Sequence, residues 1–123
     1  MAINAVYKFE RITDVPDDLR NRYFLRSKDR TTNTVRVKAE LRKKVAFNRM
    51  NLVGDHQEVQ GQYDVIFCRN VLIYFDKHTQ ESVINKLCNR LRPGGYFFLG
   101  HSESIIGKEV PLKSVMPTIY QRL

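Results

Sequence analysis

The sequence predicts an α/β fold, and three observations in its second half predict it. "YDVIFC" (Tyr63–Cys68) is a largely apolar run, as expected of a central parallel strand covered on both faces. After Asp76, apolar residues return at helical spacing: Val83, Ile84, Leu87, Cys88 and Leu91. "YFFLG" (Tyr96–Gly100) is a second apolar run. Strand, helix and strand make a βαβ unit, whose crossover is expected to be right-handed.

The first half is less regular. "DVPDDLRNRYFL" predicts a short helix, with Asp14 as its cap, Pro16 near the first turn and Asp17 and Asp18 at the positive helix end. Leu19, Tyr23 and Phe24 would be its apolar face. "RTTNTVRVKAEL" alternates around Val35 and Val37, which predicts a half-buried strand. "KKVAFNRMNL" predicts another strand, with Val45, Phe47 and Arg49 on one face, ending at Asn51–Leu52. Farther on, Asp76 opens the long helix, with Glu81 early and Lys86, Arg90 and Arg92 late. Pro93–Gly95 would end it.

Composition narrows the class. The chain has 123 residues, 42% hydrophobic and 28% charged, enough for one modest core. No apolar stretch approaches the roughly 20 residues that span a bilayer, and "MAINAVYKFER" lacks signal-peptide features. Cys68 and Cys88 are expected as free core thiols, which fits a cytoplasmic protein. The net charge of +8 is concentrated in residues 1–50, with 13 Lys/Arg against 6 Asp/Glu. These basic residues are scattered and match no nucleic-acid motif, so a solvated basic surface is expected rather than a nucleic-acid partner.

Ligands of open α/β sheets bind at the carboxyl ends of the strands. Three polar groups fall there: Asn51–Leu52, Arg69–Asn70 and Gly100–His101–Ser102. One alone would read as a turn; three on one rim read as a ligand site. "GHSES" lacks the second glycine of a hydrolase nucleophile elbow. His101 is therefore expected to hold backbone at the rim. His56, His78, His101 and the two cysteines show no metal-ligand spacing, so no metal is expected.

"FCRNVLIYFD", "LRPGGYFFLGHSES" and "PTIYQR" together resemble the C-terminal half of the chemotaxis receptor methyltransferases of CheR type. The likeness extends more weakly through "RYF" and "LRKKVAFNRMNL" to the start. It implies a partial class I, Rossmann-like S-adenosylmethionine-dependent methyltransferase fold with a small antiparallel β-subdomain near the N-terminus. Residues 1–44 would be a remnant helix and that subdomain, and residues 45–123 the C-terminal half of the methyltransferase domain. The implied function is transfer of a methyl group from S-adenosyl-L-methionine to glutamates of a chemotaxis receptor cytoplasmic domain. The family's glycine-rich cofactor loop has no counterpart, since none of the six glycines forms a G-x-G after a strand. The alternative is therefore an inactive fragment that serves as a receptor- or partner-binding module, and the isolated chain is expected to bind cofactor poorly.

By the same resemblance Asn51, Leu52, Arg69 and Asn70 would line the cofactor, and Arg69 and Tyr74 would be catalytic. An arginine can hold a carboxylate bidentately; its structural alternative is a salt bridge to Asp64 or Asp76. Tyr74 could equally be a core aromatic with its hydroxyl at the surface. The β-subdomain of some family members captures a receptor peptide by strand addition. "TTNTVRVK" is the candidate edge strand for that, or an ordinary edge guarded by Arg36 and Lys38. Finally, the family's sheet order, 3-2-1-4-5-7-6, would leave an edge of "YDVIFC" bare. Self-association is then expected, with a shifted Val45–Met50 strand as the other way to cover it.

Overall fold

The computed structural model describes residues 3–55 and 60–123. The chain divides into two units, Met1–Phe47 and Asn48–Leu123. In the first, β1 (Val6–Lys8), β2 (Phe24–Arg26) and β3 (Thr34–Val37) form an antiparallel sheet of order β1-β3-β2. Val35 and Ile12 are its buried apolar residues together with Ala5. The "TVRV" strand is thus central, not an edge: Val6 pairs with Arg36 on one side and Leu25 with Arg36 on the other. The open edges belong to β1 and β2.

The first-half helix, α1 (Asp17–Tyr23), begins later than its sequence suggests. Pro16 sits at the cap position and no side chain caps the helix, so Asp14 does not. The residue before a proline resists helical dihedrals, which stops the helix from starting at Val15. Leu19 is exposed, and Phe24 leaves the helix for β2. A one-turn helix, α2 (Ala39–Arg42), follows β3. Residues 45–51 form no strand. Their alternation suits one, but no strand lies beside them among the described residues, and a strand without a ladder leaves its backbone groups unpaired.

The second unit carries a four-stranded mixed sheet, so the α/β class holds. Its strands are β4 (Tyr63–Cys68), β5 (Leu91–Leu99), β6 (Leu112–Met116) and β7 (Ile119–Arg122), in the order β4-β5-β7-β6. β4 and β5 are parallel and joined by α3 (Lys77–Cys88), the expected βαβ unit. Asp76 caps α3, its carboxylate accepting from the Thr79 N–H at 2.8 Å. Val83, Ile84 and Cys88 of α3 pack on Cys68, Leu91, Phe97 and Leu99. Both cysteines are free and buried, and burial pushes each thiol up to about 11.

Two expectations fail here. "PGG" does not end the helix, which stops at Cys88 with Asn89 after it. The Arg90 carbonyl accepts from the Tyr63 N–H at 2.7 Å, which draws the chain into the ladder at once. Pro93–Gly95 instead form a bulge in β5: Tyr63 faces Leu91, but Val65 faces Tyr96. Second, β4 is covered on one face only. Phe67 is 68% exposed and stacks on Phe98 at 4.6 Å; Val65 and Tyr96 are exposed beside them. Among the described residues α3 is the one long helix of this unit, and it packs on the Cys68–Phe97 side. None of the described helices is long and apolar enough to cross a membrane.

The bulge makes one glycine indispensable. A Cβ on Gly95 would stand 2.7 Å from Leu91 Cδ1, 2.8 Å from the Asp64 carbonyl oxygen and 2.9 Å from that of Arg92. Two of these are backbone atoms of the ladder, which cannot step aside. Gly95→Ala should therefore lower stability by about 1–3 kcal/mol, the usual cost of overpacking. Urea unfolding checks this; an unchanged midpoint would show that the bulge yields freely.

Candidate functional site

The end of β4 and the end of β5 lie side by side, as Cys68 pairs with Leu99. The chain leaves β4 through Arg69, Asn70 and Val71, then makes a 3-10 turn over Leu72–Tyr74. It leaves β5 through Gly100 and His101. Asn70 takes a left-handed backbone conformation (φ 60°), which asparagine tolerates better than most residues, and Val71 returns to the right-handed region. Such a pair aims successive N–H groups into one concavity, an arrangement that binds anions.

The anion here is internal. Glu103 is 7% exposed and accepts four backbone hydrogen bonds. Asn70 and Gly100 donate to Oε1, each at 2.8 Å; Val71 and Leu72 donate to Oε2 at 3.2 and 2.7 Å. Burial alone would raise its pKa, but the four N–H donors outweigh burial and hold the carboxyl below its ordinary value. The loop is thus held by Glu103 rather than by His101, whose exposed side chain makes no such bond among the described residues. Little in the local pattern marks Glu103 out, because three of its four donors are backbone groups more than 30 residues away.

Arg69 is exposed, and neither expected salt bridge forms. Asp64 pairs with Arg92 at 2.9 Å, and Asp76 is engaged as the α3 cap. Among the described residues no carboxylate neutralises Arg69. Tyr74 is 80% exposed and so is not a core aromatic. Its turn is held from the other side by Gln80, whose Nε2 donates to the Leu72 and Phe75 carbonyls, both at 2.9 Å. Arg69, Asn70, Tyr74 and the β5 end are therefore gathered at one rim.

Asn51 and Leu52 are fastened differently. The Asn51 carbonyl and side-chain oxygens close a turn by accepting from the Gly54 and Val53 N–H groups. Lys86 donates to the Val53 and Gly54 carbonyls at 3.0 Å, and Leu52 packs on the core of the second unit. Lys86 lies nine residues past Lys77 in α3, about 13 Å along its axis from the rim end. His56, once a weak metal candidate, lies outside the described residues.

Gly100 closes the rim. A Cβ there would collide with Asn70 Oδ1 and stand 2.8 Å from Glu103 Oε1 and 3.0 Å from the Asn70 nitrogen. We expect Gly100→Ala to loosen the Glu103 contacts while α3 stays folded. Amide exchange should speed at Asn70–Leu72 and stay slow at Val83 and Ile84. Unchanged protection at Asn70–Leu72 would contradict this.

Comparison with known proteins bears on what such a rim does. A family model described as "CheR methyltransferase, SAM binding domain" matches residues 1–120. The chain is similar to chemotaxis protein methyltransferase 2 of Pseudomonas aeruginosa, 41% identical over 119 residues, which are 97% of this chain and 42% of the relative. It is 35% identical over 121 residues to the chemotaxis protein methyltransferase of Borreliella burgdorferi, 98% of this chain and 41% of the relative. That of Escherichia coli is 38% identical over 103 residues, 84% and 36%. The chain thus spans about two fifths of the length of the curated relatives it matches most fully. It belongs to the CheR methyltransferase SAM-binding domain family, whose cofactor is S-adenosyl-L-methionine.

Proposed function

We propose that this chain forms the acceptor-side half of a protein-glutamate O-methyltransferase that acts on chemotaxis receptors in the cytoplasm. The relatives' names support the chemistry. The sheet order β4-β5-β7-β6 is what the trailing part of a Rossmann-like methyltransferase sheet would have. In this reading residues 1–44 are an inserted β-subdomain and residues 45–123 the half-domain. One observation carries the proposal: Arg69 stands exposed at a strand end with no carboxylate partner among the described residues, and Tyr74, five residues on, is exposed as well.

The residues present fit the cofactor and its acceptor. Asn51 uses its side-chain oxygen within its own turn, which leaves its amide NH₂ to donate. Leu52 offers apolar surface and Asn70 a polar one, a set suited to an adenosyl group. When bound, S-adenosyl-L-methionine supplies a methyl group on a positive sulfonium. Arg69 matches an ionised glutamate side chain, which it can orient through two parallel hydrogen bonds. A carboxylate oxygen is already a nucleophile, so the rim needs no general base. Tyr74 can donate its hydroxyl to the second carboxylate oxygen. The work of these side chains is orientation and exclusion of water, effects that carry several kcal/mol of a barrier.

The test is transfer of labelled methyl to a receptor cytoplasmic domain, by a protein of the relatives' length that carries this segment. Arg69→Ala should lower transfer about a hundredfold, the scale of a lost positioning contact. A near-normal rate would overturn the assignment. A binding module without catalysis would instead show no transfer in the parent protein, with receptor affinity kept.

The isolated chain should also self-associate. The free edge of β4 has no partner among the described residues, and the shifted strand that could have covered it is absent. Val65, Phe67 and Tyr96 extend the same apolar surface. Unpaired apolar edges of this kind pair with further copies. Sedimentation at micromolar concentration should show dimers or larger species. A clean monomer that binds no hydrophobic dye would rule this out.

A further inference from the structure

We propose that Glu103 is the positioning residue of the rim: its carboxylate clamps the exits of β4 and β5 together and so sets where Arg69 and Tyr74 stand. The inference rests on the methyltransferase reading for what those two side chains act on, and on the structure for how they are held.

Glu103 is the buried charged residue of the described structure. Burying a lone carboxylate costs several kcal/mol unless its lone pairs are met. Here each oxygen receives two N–H groups, which fills the roughly four acceptor sites a carboxylate has. It has no capacity left for a substrate or for a proton in transit. It forms no ion pair with Arg69 among the described residues. Glu103 therefore cannot serve as a base or as a ligand without giving up its own bonds, and any influence on the reaction runs through the groups it holds.

Those groups are well placed for this. Three donors, Asn70, Val71 and Leu72, are consecutive on the β4 side; the fourth, Gly100, lies on the β5 side. Arg69 immediately precedes the first donor. Tyr74 closes the 3-10 turn that begins at Leu72, the third donor. The left-handed Asn70 costs conformational energy, and the carboxylate offsets it by collecting the N–H groups that this conformation aims inward. Without the carboxylate, four converging donors face a buried space and Asn70 has no reason to stay left-handed. Both functional side chains would then lose a defined starting position. The Cys68 thiol feels the Glu103 charge; burial and then that charge push it up to about 11, so it stays protonated in the range where Glu103 titrates.

The experiment uses the isotopically labelled chain and reads backbone amides by NMR. In the native chain the Asn70, Val71, Leu72 and Gly100 amides should shift together as pH falls, with one midpoint below the ordinary glutamate value of about 4.3. The sign follows from the lowered pKa. The clamp is fully formed above the ordinary value and is lost as pH falls through the folded-state one. Glu103→Gln, which replaces an acceptor oxygen with a donor, should speed exchange at these amides by about tenfold or more and leave Val83 and Ile84 protected. Glu103→Gly opens a space the size of the lost side chain. Propionate at tens of millimolar should restore the native Arg69–Tyr74 pattern saturably, whereas chloride at equal ionic strength should not. A residue that merely fills space would not be rescued by an anion. Separate midpoints for the four amides, or an undisturbed Arg69–Tyr74 segment in Glu103→Gln, would overturn the proposal; both readings stand even if the glycine variant does not fold. No arm uses cofactor or methyl transfer, so failure here is distinct from failure of the methyltransferase reading.

Discussion

A buried carboxylate must be hydrogen-bonded or it expels itself from the fold, and that constraint organises the rim of this chain. Glu103 meets it entirely with backbone N–H groups. Backbone donors cannot swing away as side chains can, so satisfying one charge fixes the path of two chain segments. The close approach this demands explains why Gly100 has no room for a side chain. It also explains how a non-glycine residue, Asn70, holds a left-handed conformation at a strand end. Beneath the rim the parallel β4–β5 ladder and the capped α3 provide a rigid floor, with Phe97, Leu99 and Ile84 fully buried. The candidate site thus lies on a loop, but on a loop with few degrees of freedom.

What the sequence made legible in the fold follows from the range of the forces involved. The β4–α3–β5 unit was readable because its signals are local: two apolar runs, a helical period and an Asp cap one position before the helix. Failures came where the deciding partner was distant or missing. Pro93–Gly94–Gly95 carries the same punctuation for a helix stop and for a strand bulge. The choice was made by Tyr63, which takes the Arg90 carbonyl and starts the ladder before the glycines are reached. Val45–Met50 has a strand's alternation, yet alternation only says which face a strand would bury. The backbone bonds that make it a strand require a neighbour.

The same division runs through the candidate site. Arg69 and Asn70 were legible as candidates because they follow a strand, and the rule that ligands meet strand ends needs no tertiary knowledge, whereas Tyr74 became a candidate through the family resemblance alone. Their competing structural roles were also legible but could be settled only by geometry. Asp64 turned to Arg92 and Asp76 to α3, which left Arg69 without either. Glu103 was not legible as the clamp. The sequence pointed instead to His101 as the residue that holds backbone at the rim. The distinction lies in what the rim presents: converging N–H donors call for an acceptor with four sites, and only a carboxylate has them.

An internal anion at such a rim has a further consequence for recognition. Converging N–H groups attract any carboxylate, including that of a substrate glutamate. If they were open, an incoming side chain would have two anion sites within a few residues of each other, and two poses to choose between. Glu103 occupies one of them permanently and with a lowered pKa, so it does not release the site near neutral pH. The β4 exit also carries the Arg69 guanidinium, whose planar fork holds a carboxylate in a defined plane. In the methyltransferase reading proposed above, the buried glutamate would contribute specificity by exclusion: it removes one resting place for the acceptor carboxylate and leaves that at Arg69.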